Sequence, residues 1–355
     1  MRLFEPTGAH VLVDGQYGST GKGALAAWLA AQPGQPDWGG VVSNAGPNSG
    51  HTFYHEGRKV VLKQLPTFAV AHYLRGNVIP VYLSAGAVID VGQLVKEAND
   101  YPNLPIFVHP NAAVITADDR AAEHSGTMAA VAGTRSGTGS AIARKVMRDP
   151  RAVMDEQMWT HLPYNIHRMG VPLNPRTVPY FVEVSQGFSL GINSQFYPKV
   201  TSRECTVMQA IADARIPPRL VTKTYMSIRT FPIRVGSVDG FDSGGWYPDQ
   251  REVTWGSLGV KPELTTVTQR VRRVATFSRQ QFIEAVHTND PDFVFVNFLN
   301  YLKEHEQISL LREIDHLGAV HEFNIIRGYG PETKDIESHE QTDYKSPLRG
   351  RAIRK

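Results

Sequence analysis

Only one cysteine, Cys205, occurs in 355 residues, so no disulfide can form within the chain. A lone thiol suits a reducing cytoplasm, and its plainest role is that of a small buried hydrophobe. No apolar run approaches the ~18 residues that a membrane-crossing helix needs. The opening "MRLFEPTGAHVLVDG" lacks the apolar core of a signal peptide. An excess of one charge is also missing: 37 basic residues face 34 acidic ones, a net +3. That balance argues against direct nucleic-acid binding through bulk charge. What is present, 41% hydrophobic and 20% charged residues, matches a soluble globular enzyme with a large core.

Short apolar runs read as buried strands at Gly40–Ser43, Val78–Leu83, Ile106–Val108, Val178–Val184, Met226–Val235 and Phe293–Phe298. Helical patterns at Gly23–Ala31 and Gly92–Glu97 fall between some of them. This alternation predicts an α/β fold with a mostly parallel central sheet flanked by helices. Thr134–Ser140 reads as a flexible loop, and Gly236–Gly245 as an exposed one. Residues 1–335 read as a single elaborated domain, and 336–355 as a polar tail with a disordered end.

The first motif is "VLVDGQYGSTGKG", Val11 to Gly23: an apolar strand, a glycine-rich turn with Lys22, then a helix-friendly run. That order presents backbone N–H groups to a phosphate. The strict rule G-x-x-x-x-G-K-[ST] nevertheless fails at both ends, at Gln16 and at Gly23. Four further clusters follow. "SNAGPNSGHT" carries His51, a candidate general acid or electrostatic stabiliser. "GTRSGTGSAIARK" carries hydroxyls ahead of Arg144 and suits a phosphomonoester, or is a mobile surface loop. "SQGFSLGINSQFYPKVTS" has Gln186 beyond the end of a strand, where open α/β sheets bind ligands. "TTVTQRVRRV" groups Arg270, Arg272 and Arg273, either for carboxylates and phosphates or as a solvated basic face.

Taken in order, these clusters resemble the adenylosuccinate synthetase family. Gly18–Gly23 is similar to its phosphate loop, and Ala45–Thr52 to its G-G-H-N-A-G-H-T motif. Gln186-Gly187, Tyr197–Ser202, Thr268–Arg273 and Gly330-Pro331 are similar to its later motifs. The resemblance covers roughly residues 10 to 335 and explains the failed rule, because that family has its own phosphate loop. It implies a P-loop-NTPase-like fold, a C–N ligase that joins L-aspartate to a purine nucleotide, Mg²⁺, and a homodimer.

Three departures refine the expectation. The family's catalytic aspartate falls on Ser19, whose hydroxyl is too weak a base to act unaided. That implies either a dead enzyme or a changed substrate. A serine there resembles the viral branch of the family, which joins aspartate to dGMP. The family's guanine-reading T-K-x-D falls on Asn297, Phe298, Leu299 and Asn300, which implies ATP or dATP instead of GTP. Asp14 stands where glycine is common, either as a substitute base and metal organiser or as a strand-end cap of the turn.

By the resemblance, Ser19, Lys22, His51 and Gln186 are catalytic. Ser19, Asn48, Thr134, Arg144, Gln186, Thr201 and Arg270 bind dGMP, with Arg144 crossing from a partner subunit. Thr268, Arg270 and Arg272 hold aspartate. Gly18, Thr20, Gly21, Lys22, Gly23, Gly50, His51, Thr52, Asn297, Asn300, Gly330 and Pro331 bind ATP, and Ser19 and Gly50 bind Mg²⁺.

Overall fold

The computed structural model describes residues 2–44, 46–125, 133–170, 172–237, 240–265 and 269–339. Its centre is a ten-stranded sheet. The strands used below, in chain order, are β1 (Gly8–Asp14), β2 (Gly40–Ser43), β3 (His51–His55), β4 (Arg58–Leu62), β5 (Val81–Leu83), β6 (Ile106–Val108), β7 (Ile166–Arg168), β8 (Pro179–Glu183), β9 (Val221–Arg229), β10 (Phe293–Asn297), β11 (Asn324–Gly328) and β12 (Ile336–His339). β3 and β4 form a separate antiparallel hairpin. The sheet order is β12-β11-β10-β9-β1-β8-β2-β5-β6-β7. Every neighbouring pair is parallel except β11 with β12.

β1 lies at the middle and is buried along its whole length. Its side chains alternate between two cores: Leu12 packs into one, and Ala9, Val11 and Val13 into the other. A parallel sheet needs both faces covered. Helices α1 (Lys22–Ala30) and α2 (Thr67–Tyr73) supply the first cover. Helices over Val207–Ala214, Arg279–Asn289 and Glu304–His321 supply the second. Cys205 is buried, and burial pushes its thiol up to about 12, as an inert core residue requires.

Two expectations change. The segment read as a flexible loop at 134–140 becomes helical from Thr138, in α3 (Thr138–Val146). Gly137, at φ 88, turns the chain into that helix, and Glu123 accepts the amides of Gly137, Gly139 and Ser140 at 2.7, 2.7 and 3.2 Å. A carboxylate at a helix N-terminus is stabilising. The tail boundary also moves: Ile336–His339 pairs with β11, although its polar make-up hid it. Residues 340–355 lie outside the described residues.

Candidate active site

The phosphate loop is organised by Asp14. Its Oδ1 accepts the amides of Gln16 and Gly18 at 2.9 and 3.1 Å; its Oδ2 accepts Lys22 Nζ at 3.1 Å and the Thr20 hydroxyl. Thr20 also meets the hydroxyl of Ser227 on β9. In this structure Asp14, 1% exposed and holding four donors, caps the turn and pairs with Lys22. Lys22 is turned inward and donates at 2.7 Å to the Gln186 carbonyl. Gly21 begins α1 at φ 99 without a side-chain cap, so the amides of the first turn are not claimed by a capping side chain. Ser19 stands exposed at the crest of the loop with φ 55.

Close backbone contacts gather the other motifs around this loop. A Cβ on Gly23 would strike the backbone of Thr52, and one on Gly187 would strike the Gly18 amide. Glycine at these two positions therefore sets β3 and the end of β8 against the phosphate loop. His51, the first residue of β3, has Nδ1 3.4 Å from Oε1 of Glu183, and both side chains are buried. Burial, reinforced by the Lys22 charge, holds the imidazole neutral and pushes its pKa down to about 3. Glu183 accepts the amides of Thr67 and Phe68, each at 3.0 Å; burial pushes its carboxyl up. Gln186 follows at φ 70, with a buried Nε2 that has no hydrogen-bond partner among the described residues. Asn48, Gly50 and Thr52 are half-buried on the same side.

At the end of β10, Asn297 Nδ2 donates to the Thr20 carbonyl at 3.1 Å and its Oδ1 accepts the Phe298 amide at 2.8 Å. Its amide thus ties the phosphate loop to the next turn, using one of its two N–H donors and one of its two acceptor lone pairs. Phe298 is half-buried at φ 60, while Asn300 and Pro331 are exposed and Gly330 is half-buried. In the arginine segment, Arg272 donates to the Leu264 carbonyl at 3.2 Å, and burial pushes its pKa down to about 10. Arg270 is half-buried, and its amide donates to the Thr265 hydroxyl at 2.9 Å. Arg273 points away, to Glu252 and over the Trp246 ring. Thr268 lies outside the described residues.

Thr134, Ser136 and Thr138 form a chain of hydroxyls with 3.1 Å steps. A Cβ on Gly46 would meet Thr138, so this chain abuts the loop that carries Asn48. Thr201 is half-buried and its amide donates to the Leu190 carbonyl at 2.8 Å. Arg144 forks onto Asp119 at 2.8 and 2.7 Å and onto the Val114 carbonyl at 2.8 Å. That arginine is committed within its own chain.

The adenylosuccinate synthetase family model matches residues 11–169 and 176–340. The chain belongs to the adenylosuccinate synthetase family. It is similar to the N6-succino-2-amino-2'-deoxyadenylate synthase of Vibrio phage phiVC8, 35% identical over 352 residues, spanning 93% of this chain and 98% of that protein. The enzyme of the same name from Cyanophage S-2L is 36% identical over 341 residues, spanning 92% and 91%. A solved structure of Cyanophage S-2L succinoaminodeoxyadenylate synthetase, bound to dGMP and dATP, matches with a TM-score of 0.81 and 33% identity over 94% of this chain and 96% of that one. The Plasmodium falciparum adenylosuccinate synthetase shares the fold, with a TM-score of 0.69 at 15% identity over 94% and 100%.

Within this adenylosuccinate synthetase frame, three residues that sequence reasoning missed pack against the motifs: Glu183, Arg229 and Glu263. Glu183 was visible as a charge inside the apolar run "FVEV". Arg229 and Glu263, paired through the bonds described below, carried no local signal. Arg148 is exposed just past α3, at φ 63, beside Val146 and Met147, which are 68% and 80% exposed. No helix among the described residues is long and apolar enough to cross a membrane.

Proposed function

We propose that the chain is a C–N ligase that joins L-aspartate to C6 of dGMP with ATP or dATP, giving N6-succino-2-amino-2'-deoxyadenylate. The observation that carries the choice of dGMP over IMP is Ser19, exposed on the loop crest where the wider family has a carboxylate. A short hydroxyl leaves room for the 2-amino group of guanine and can accept a hydrogen bond from it. The names of the phage relatives, which span nearly the whole chain, support the same substrate.

Phosphorylation of O6 turns a poor leaving group into a good one, and the amine of aspartate then displaces phosphate at C6. The protein's task is positioning and charge neutralisation. Lys22 and the amides of the first turn of α1 would neutralise the transferring phosphoryl group. His51 would stabilise it, or the charge growing on O6, while Glu183 fixes the ring. The unpaired Gln186 Nε2 suits an acceptor on the purine. Asn48 would help hold the ring, and Thr134 and Thr201 the 5'-phosphate. Arg270 and Arg272 would hold the aspartate carboxylates. Phe298 offers a flat face to adenine.

Mg²⁺ belongs to this reading. Among the described residues no group of three or more His, Cys, Asp or Glu forms a ready cage. That fits Mg²⁺, which takes few protein ligands when substrate phosphates and water complete its shell. The Ser19 hydroxyl and the Gly50 carbonyl are the hard oxygen donors that would hold it, and it would supply charge neutralisation. A homodimer is also part of the proposal. With Arg144 locked to Asp119, the arginine that would reach a partner's 5'-phosphate is Arg148, whose apolar neighbours Val146 and Met147 would be covered there. A host-cell cytoplasm is the compartment that supplies these nucleotides.

The test is turnover with IMP, GMP, dGMP and dAMP, each with ATP, dATP and GTP in the presence of aspartate. Aspartate-dependent phosphate release with dGMP and an adenine triphosphate is expected. Preference for IMP with GTP would overturn the reading.

A further inference from the structure

Arg229 closes β9 and is a fully buried side chain. Its NH1 donates to the Ser19 carbonyl at 3.1 Å and to Glu263 at 3.2 Å; its NH2 donates to the other Glu263 oxygen at 2.5 Å. The flat guanidinium lies over the Phe298 ring, 4.0 Å from its centroid. Gln16, in the phosphate loop, grips the Arg229 backbone from both sides, at 2.9 and 3.1 Å. Glu263 reaches outward in turn. It accepts the Tyr301 hydroxyl at 3.1 Å, its carbonyl accepts the Arg272 amide at 2.9 Å, and the Arg229 charge holds its carboxyl below the usual range despite burial. One ion pair, with Arg229 fully buried and Glu263 half-buried, therefore touches the Ser19 crest, the Phe298 face and the strand of chain that presents Arg272.

Stability does not explain such a pair. Taking the Arg229 charge out of water offsets most of what its attraction to Glu263 gains. Among the described residues Arg229 Nε also has no hydrogen-bond partner, so the contacts seen do not fully satisfy the guanidinium. What the geometry does uniquely is join three segments that are distant in sequence. We propose that Arg229 and Glu263 are positioning residues that couple the amino-acid site to the phosphate loop and to the nucleobase platform. Filling the carboxylate-binding arginines then holds Glu263, and through Arg229 fixes both the Ser19 backbone and the Phe298 ring for the nucleotides. The inference rests on the substrate assignment above for which ligand sits where.

The test measures coupling, which a merely structural pair would not carry. The dissociation constant of a β,γ-imido analogue of ATP is measured with dGMP present, without and with saturating succinate, a dicarboxylate that lacks the reacting amine. In the wild-type protein succinate should tighten the analogue about 5-fold or more, a usual size for linked sites. In Glu263→Gln, which keeps the shape and loses the charge, the ratio should fall close to 1. Arg229→Lys keeps the charge and loses the fork and the flat face, and should fall likewise. Both variants should still bind dGMP and the analogue measurably, so that the ratio can be read. Glu263→Asp should recover part of the coupling. Retention of the full ratio in both Glu263→Gln and Arg229→Lys, or its absence in the wild type, overturns the proposal. Should Glu263→Gln fail to fold, Arg229→Lys and Glu263→Asp decide. A wild-type protein that turns over IMP instead of dGMP refutes the substrate reading alone, and the same ratio is then measured with IMP.

Discussion

His51 and Glu183 face each other across 3.4 Å in the interior of the protein, a histidine at the start of a hairpin and a carboxylate at the end of a central strand. Glu183 is itself pinned by two amides at the start of α2, so the imidazole is aimed by a rigid partner. His51→Ala should therefore lower kcat on the order of 100-fold or more with little change in dGMP binding, as loss of one transition-state contact does. Glu183→Gln should lower kcat by less, because the ring stays but its aim loosens. An amide has one acceptor oxygen where the carboxylate has two, so Glu183→Gln also strands a backbone N–H and should cost ~1–3 kcal/mol of stability. Steady-state kinetics with a urea melt checks both. Normal turnover in His51→Ala removes the assignment.

Ser19→Asp should move the preference from dGMP toward IMP. The position is exposed and left-handed, and aspartate tolerates that backbone better than most residues, so the loop should keep its shape. A carboxylate would crowd the 2-amino group and restore the base of the wider family. Such a difference at a purine edge is worth about 1–3 kcal/mol, or roughly tenfold and upward in the kcat/KM ratio of the two substrates. An unchanged ratio means that Ser19 does not read the 2-amino group.

Arg144 and Arg148 should separate cleanly. Arg144→Leu strands Asp119, whose carboxyl the arginine holds below its usual range, and should destabilise the chain by about 1–3 kcal/mol, because Asp119 is buried while Arg144 is partly exposed. Arg148→Leu should leave the melting temperature alone and weaken dGMP binding. Mixing Arg148→Leu with Lys22→Ala after subunit exchange should restore some activity, because one site in each mixed dimer keeps both residues. No recovery after verified exchange refutes a shared site.

Acid should destabilise the protein through its buried histidines. His10, His51 and His72 have pKa values pushed down to about 4, 3 and 4, chiefly by burial. Unfolded, each takes up a proton near pH 6.5. Their contribution is whole above that pH and drains away as the pH falls toward 4, while Glu183, pushed up by burial, acts in the opposite direction. Among the described residues neither ring nitrogen of His72 has a hydrogen-bond partner. His72→Leu should flatten the loss between pH 7.5 and 5 by about 2 kcal/mol in urea titrations. An equal loss in wild type and variant counts against a neutral His72.

Much of this was legible in the chain itself. The phosphate loop, Gln186 and most central strands are contiguous motifs, so local pattern suffices for them. The boundaries slipped where pairing decides: the expected strand 226–235 begins at Val221 and ends at Arg229, because β1 and β10 flank it there. Glu263 stands 34 residues from Arg229, and Asp119 stands 25 from Arg144. Pairings of that reach are made by the fold, and no spacing rule foretells them. Asn297 shows the same limit: its amide looks free in sequence, and only the packed structure reveals Thr20 and Phe298 on either side.

That same asparagine separates two tasks often treated as one. Gly21 and Gly328 have no room for a side chain against it, so the three form a packed lock beneath the phosphate loop. Asn297→Asp should weaken ATP and GTP alike, costing ~1–3 kcal/mol through the lost bond to Thr20, and should leave their ratio unchanged in competition binding. A switch toward GTP would contradict this. The energy donor can then be re-chosen by editing Phe298 and Asn300, at the rim, without rebuilding the grip. A ligase organised this way can follow whichever triphosphate its surroundings hold in excess while its chemistry stays fixed.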